Sequence, residues 1–162
     1  MYWTEYSEHR HSRIMTAHLD GSNYRAIVSG LLYPSGIAVD YKPNFSRIMW
    51  TNYDENRISS LDLRSRDHVK HQLRTVARYS GKSPTGIVLH EGKVFWGTYE
   101  GKTLRRKTES GTARTVYSGQ YGIAQLTVAT SYIPPISRQN HCDGQSCVNV
   151  CALTPTGYAC LP

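Results

Sequence analysis

Three tryptophans set the frame for this chain. Trp3, Trp50 and Trp96 are 47 and 46 residues apart, and each follows an aromatic or long apolar residue: Tyr2-Trp3-Thr4, Met49-Trp50-Thr51 and Phe95-Trp96-Gly97. Two further landmarks recur in the same order after each Trp. One is a strand-like run ending in a turn: Arg13 to Gly21, Arg57 to Leu63, and Thr103 to Lys107. The other is a Gly-Ile run: Pro34-Ser35-Gly36-Ile37-Ala38-Val39-Asp40, then Pro84-Thr85-Gly86-Ile87-Val88-Leu89-His90, then a reduced copy at Tyr121-Gly122-Ile123-Ala124. Between them lies a further strand-like segment, at Tyr24 to Val28, Gln72 to Ala77 and Arg114 to Tyr117. Each period therefore holds four short runs rich in Ile, Val, Tyr and Thr, broken by Gly, Pro, Asn and Asp. Helical periodicity is nowhere sustained. Such spacing reads as an all-β array. Four strands in roughly 40–45 residues is the arithmetic of a β-propeller blade. A sandwich is the alternative, but it does not need one Trp position repeated in every period. A radial array does, because equivalent positions of successive sheets face each other.

Composition agrees. Of 162 residues, 39% are hydrophobic and twelve are Tyr, which suits half-buried strands better than a greasy helical core. No apolar stretch reaches the ~18 residues of a membrane-spanning helix. Lys and Arg outnumber Asp and Glu by 19 to 12, a net charge of +7. No basic n-region and apolar h-region follow Met1, so the chain is expected to be either cytosolic or a piece of a longer exported protein.

The four cysteines choose between these. Cys142, Cys147, Cys151 and Cys160 all fall in the last 21 residues, among Gly, Pro and Asn. Clustered cysteines in a short polar segment read as a disulfide-stapled module. Zinc is the rival, but zinc sites usually place two cysteines on a tight C-x2-C turn, and none is present. Sequence alone leaves three connectivities open.

These stretches resemble the YWTD repeats of the low-density lipoprotein receptor family. The resemblance is carried by Pro34 to Asp40, by Met49-Trp50-Thr51-Asn52, and by Ile14-Met15-Thr16-Ala17-His18-Leu19-Asp20-Gly21. It extends into the tail, where Cys147-Val148-Asn149-Val150-Cys151 and Gly157-Tyr158-Ala159-Cys160 are similar to the EGF-like module that follows such propellers. The resemblance implies an all-β chain with two parts: residues 1–133 as a partial propeller of about three blades with a closing strand, and 134–162 as an incomplete EGF-like module. It implies the pairs Cys142–Cys151 and Cys147–Cys160. It makes Trp3, Trp50, Trp96, Gly36, Ile37, Asp40, Gly86 and Ile87 structural repeat residues. It gives the place of the motif's Asp to Glu5, Asn52 and Thr98, with a hydrogen-bonding role between neighbouring blades. Asn52 keeps part of that role and Thr98 less.

The implied function is ligand recognition on the extracellular side of a membrane receptor, at the cell surface or in endosomes. The ligands would be proteins or lipoproteins taken up by endocytosis, or the receptor would be of the Wnt co-receptor type. The rest of the parent receptor is the other expected partner. Two alternatives stand beside this: a nidogen-like secreted matrix adhesion protein, and a basic cytosolic propeller fragment that binds nucleic acid. The basic residues Arg64, Arg66, Lys70, Arg74, Arg78 and Arg105-Arg106-Lys107 serve the last reading only where they merge on one face. Otherwise they form a solvated surface or attract anionic partners such as sulfated glycans. Seven scattered histidines, among them His9, His11, His18 and His90, are candidates for weakening ligand binding at endosomal pH. Asn44-Phe45-Ser46 is the one glycosylation sequon. No G-x-S-x-G, H-E-x-x-H or phosphate-binding glycine loop is present, so no enzyme, cofactor or metal is expected.

Overall fold

A computed structural model describes residues 1–8, 11–42, 45–63, 73–78, 82–128, 150–154 and 157–161. The architecture is all-β and antiparallel, consistent with an arc of a propeller. Strands β1 (Tyr2–Glu5), β2 (Ser12–Thr16) and β3 (Arg25–Leu31) form a first sheet. Strands β4 (Pro34–Lys42), β5 (Phe45–Asn52), β6 (Arg57–Asp62) and β7 (Arg74–Arg78) form a second, in chain order. Strands β8 (Pro84–His90), β9 (Lys93–Thr98), β10 (Thr103–Thr108) and β11 (Arg114–Ser118) form a third. A separate hairpin pairs β12 (Val150–Thr154) with β13 (Gly157–Leu161).

Register shows that the three sheets are copies. The Trp row runs Trp3–Met15–Ala26 in the first sheet, Ile37–Trp50–Ser59–Thr75 in the second and Ile87–Trp96–Arg105–Thr115 in the third. Because strand side chains alternate between faces, each row looks to one side. Trp50, with Ile48 and Leu61, packs against Ile14 and Leu31 of the first sheet. Trp96, with Ile87 and Val94, packs against Met49 and Ile58 of the second. The middle sheet is thus covered on both faces, which explains its unbroken apolar run Ile48-Met49-Trp50, all with 0% exposure. Trp3 is only half-buried and lies against Tyr24, ring centroids 5.6 Å apart.

Turns repeat as well. In the turn after β5, Asn56 N–H donates to the Tyr53 carbonyl; after β9, Lys102 N–H donates to the Tyr99 carbonyl. Asn56 and Lys102 both sit in the left-handed region, at φ 50° and 51°. Asn tolerates that conformation better than most residues. It also brings a side chain that Lys102 does not match: Asn56 Oδ1 accepts 2.8 Å bonds from the backbone N–H of both Lys82 and Ser83, fixing the entry to β8.

One expected landmark differs. Tyr121-Gly122-Ile123-Ala124 is not a strand. Ile123 N–H donates to the Thr98 carbonyl, and Thr85 Oγ1 donates to the Ile123 carbonyl, so this stretch ties itself to the third sheet. The residue that meets Gly86 is Gln125, as Gly86 itself meets Gly36. Gly122 lies instead against the Tyr99 ring.

Candidate functional site

Strands β1, β5 and β9 are equivalent, so the turns that follow them lie at one edge of the array. A tyrosine stands three residues after each Trp, at Tyr6, Tyr53 and Tyr99, and so reaches that edge in every sheet. Tyr33, in the connection leading into β4, joins them: Tyr53 N–H donates to its carbonyl at 2.8 Å. The rings form a row, with centroids 4.7 Å apart for Tyr6–Tyr33 and 5.4 Å for Tyr33–Tyr53. Tyr6, Tyr33 and Tyr99 are 56%, 40% and 52% exposed. Neighbouring exposed aromatics on a rigid scaffold mark an interaction surface, because they bury large area at small entropic cost and keep a polar tip. Exposed carboxylates follow two of them, Asp54 after Tyr53 and Glu100 after Tyr99. The tyrosine row was not found by sequence reasoning; the fixed Trp-to-Tyr spacing signals Tyr6, Tyr53 and Tyr99 but not Tyr33.

Beside it, Glu5 accepts hydrogen bonds from Arg13 and from the Tyr24 hydroxyl at 3.0 Å. The Arg13 bond first, then Tyr24, hold the Glu5 carboxyl below the ordinary glutamate range, and Glu5 in turn raises the Tyr24 phenol. Asp20, in the turn after β2, is likewise lowered by the Ser22 hydroxyl and N–H.

The repeat glycines lie at the inner strands. A Cβ on Gly36 would strike the Thr85 carbonyl and come within 2.9 Å of Ile87 N; one on Gly86 would lie 2.6 Å from Gln125 Cα and Leu126 N. Glycine is therefore what lets β4, β8 and the 121–126 stretch approach. A cavity of about 380 Å³ opens here, lined in part by Gly36, Ile37, Gly86, Ile87, Gln125 and Leu126. None of the described residues that line it carries a titratable side chain. Among the described residues no group of three or more His, Cys, Asp or Glu comes together that could hold a metal. No helix among them is long and apolar enough to cross a membrane.

The motif's acidic place works differently from expectation. Asn52 accepts from Trp50 Nε1 at 3.2 Å and donates to Ser59 Oγ at 2.9 Å; Thr98 Oγ1 bonds to Thr103; Glu5 bonds to Arg13 and Tyr24. All these partners are in the residue's own sheet or, for Tyr24, in the turn leading into its last strand. The ties between sheets come from the preceding position instead, where Thr4 Oγ1 donates to the Ser35 carbonyl and Thr51 Oγ1 to the Thr85 carbonyl. Asp40 is paired with Arg47 at 3.1 Å, and Arg47 reaches Glu109, in the turn after β10, at 3.1 Å. The run Arg105-Arg106-Lys107 does not form one patch: Arg105 and Lys107 share the face of Trp96 and Val94, and Arg106 lies opposite Phe95 on the other. Of the histidines, His18 Nδ1 is 3.0 Å from Ser22 Oγ and His90 is 3.8 Å from Glu91. Asn44, His9, Arg64, Arg66, Lys70, Cys142 and Cys147 lie outside the described residues. Cys151 and Cys160 are backbone partners across β12 and β13.

Residues 1–41 match the family described as low-density lipoprotein receptor repeat class B. The chain is 25% identical over 151 residues to low-density lipoprotein receptor-related protein 5 of Homo sapiens, and equally to that of Mus musculus. Each alignment covers 91% of this chain but 9% of the relative, so the chain spans a small part of the curated relatives it matches. It also resembles a solved structure titled "Crystal structure of Nidogen/Laminin Complex", with a TM-score of 0.62 and 25% identity over 75% of this chain and 45% of that one. Residues 1–41 thus carry a low-density lipoprotein receptor class B repeat, and the chain is similar along most of its length to a receptor-related protein and in fold to the nidogen/laminin structure.

Proposed function

We propose that this chain is part of the extracellular region of a receptor related to the low-density lipoprotein receptor, and that it captures protein ligands on the edge carrying Tyr6, Tyr33, Tyr53 and Tyr99. The single observation behind this is the row of touching rings Tyr6–Tyr33–Tyr53 along one edge of the first two sheets, with Tyr6, Tyr33 and also Tyr99 of the third sheet exposed. In this reading, residues 134–162 are the start of an EGF-like module with Cys142–Cys151 and Cys147–Cys160 paired, and Asn44 carries a glycan. The mechanism is recognition without chemistry: rigid sheets hold the tyrosines in place, and Asp54 and Glu100 offer carboxylates to basic groups on the ligand.

The test is binding of the secreted chain to a panel of purified extracellular proteins and lipoproteins. Tyr33→Ala and Tyr99→Ala should weaken capture of at least one of them while leaving the thermal transition in place. Binders indifferent to both substitutions would overturn the reading. A matrix role is the second reading, favoured by the likeness to the nidogen/laminin structure. Uptake of bound ligand by cells displaying the chain in its parent receptor separates the two.

A further inference from the structure

Each sheet ends in an exposed outer strand, β3, β7 or β11. Together these strands carry Arg25, Arg74, Arg78 and Arg114 and no Asp or Glu. Three of the arginines are one position repeated. Register places them at the end of matching rows, Tyr2–Thr16–Arg25, Met49–Ser60–Arg74 and Phe95–Arg106–Arg114. All three side chains belong to exposed residues, and no ion pair engages them among the described residues. Three arginines elsewhere are ion-paired: Arg13 with Glu5, Arg47 with Asp40, Arg57 with Glu55. In the third sheet the row even sets Arg106 directly opposite Arg114. Like charges directly across a ladder cost stability. A shared anion between the guanidiniums removes that cost.

We infer that the outer strands form a basic band that binds a sulfated glycan chain laid across the rims of successive sheets. The inference takes from the proposed function only the extracellular setting. A regularly sulfated polymer supplies anions at intervals along an extended chain, and guanidinium forks grip tetrahedral oxyanions through paired N–H bonds. A nucleic acid is less suited: the band offers Val116 and Tyr117 on one strand but no aromatic beside Arg74 within β7, and so no stacking platform shared by the sheets.

The experiment measures binding of the chain to a heparin dodecasaccharide across a salt series, with desulfated heparin and duplex DNA of matched length as the other probes. Two triple variants of equal charge are compared: Arg25→Gln/Arg74→Gln/Arg114→Gln, and Lys82→Gln/Lys93→Gln/Lys102→Gln away from the outer strands. The arginine triple should lose about tenfold or more in affinity, and its salt slope should fall by about one per arginine removed. The lysine triple should stay within about twofold, and desulfated heparin should not bind. Equal losses from both triples mean bulk attraction only and overturn the inference, as does tighter binding of DNA than of heparin. Tyr33→Ala leaves heparin binding unchanged, so failure of the protein-ligand reading and failure of this one are distinct results. The arginines are exposed, and the three single variants serve if the triple does not fold.

Discussion

Thr51 Oγ1 accepts a 2.8 Å bond from Gly36 N–H and donates a 2.5 Å bond to the Thr85 carbonyl. One hydroxyl therefore joins the inner strand of its own sheet to the inner strand of the next. Thr4 makes the same outward bond to Ser35 in the first sheet. In the third, Gly97 stands in that place and the Ile123 side chain fills the space.

Removing that hydroxyl while keeping its shape isolates its role. Thr51→Val leaves Gly36 N–H and the Thr85 carbonyl short of a partner in a buried place. A loss of about 1–3 kcal/mol is expected in chemical denaturation, with Thr51→Ser recovering most of it. Equal stability of the Val variant and the wild type would show that the sheets are held by apolar contact alone.

The three tryptophans should not be equivalent in energy. Trp50 and Trp96 are fully buried between sheets, so Trp50→Ala and Trp96→Ala should each cost about 3–5 kcal/mol. Trp3→Ala should cost clearly less, because Trp3 is half-buried beside Tyr24. Acrylamide quenching checks the same ranking without a folding measurement: in Trp50→Phe/Trp96→Phe the remaining fluorescence should be quenched readily, and in Trp3→Phe it should be blue-shifted and protected.

The Trp spacing made the repeating sheets legible, because an inter-sheet wedge needs one bulky residue at one register. The strands around it followed from alternation and turn residues. What escaped was tertiary. Asn52 looks like a link between blades when read as a variant Asp, yet its amide is taken up by Trp50 and Ser59 of its own sheet. Gly122-Ile123 looks like another inner strand, yet its hydrogen bonds go to Thr85 and Thr98. The basic run on β10 looks like a patch, yet a strand deals alternate residues to opposite faces. Tyr6, Tyr53 and Tyr99 were visible as a spacing from Trp, but nothing in that spacing shows that Tyr33 lies between Tyr6 and Tyr53 and touches both.

Gly86 offers a backbone test of how closely the inner strands pack. A methyl there meets Gln125 Cα and Leu126 N, neither of which is the end of a flexible side chain. Gly86→Ala should therefore destabilise by about 1–3 kcal/mol or more through overpacking. Increased hydrogen exchange should appear first at Ile123 N–H, which bonds to Thr98 across the same contact.

The Glu5 carboxyl gives the chain a pH-dependent contribution whose direction is fixed. Its pKa is lowered in the folded protein, chiefly by the Arg13 bond and next by Tyr24, so the unfolded chain binds a proton more readily. The stabilisation is full above the unfolded glutamate value and is lost as pH falls through the folded value. A carboxyl NMR titration should place Glu5 below ordinary glutamates. Arg13→Gln should move it up, and Tyr24→Phe should move it up by less. Glu5→Gln should be less stable than wild type at neutral pH, and the difference should close in acid once the wild-type carboxyl is protonated. A difference of constant size across that range would place the effect of Glu5 in packing and not in its charge.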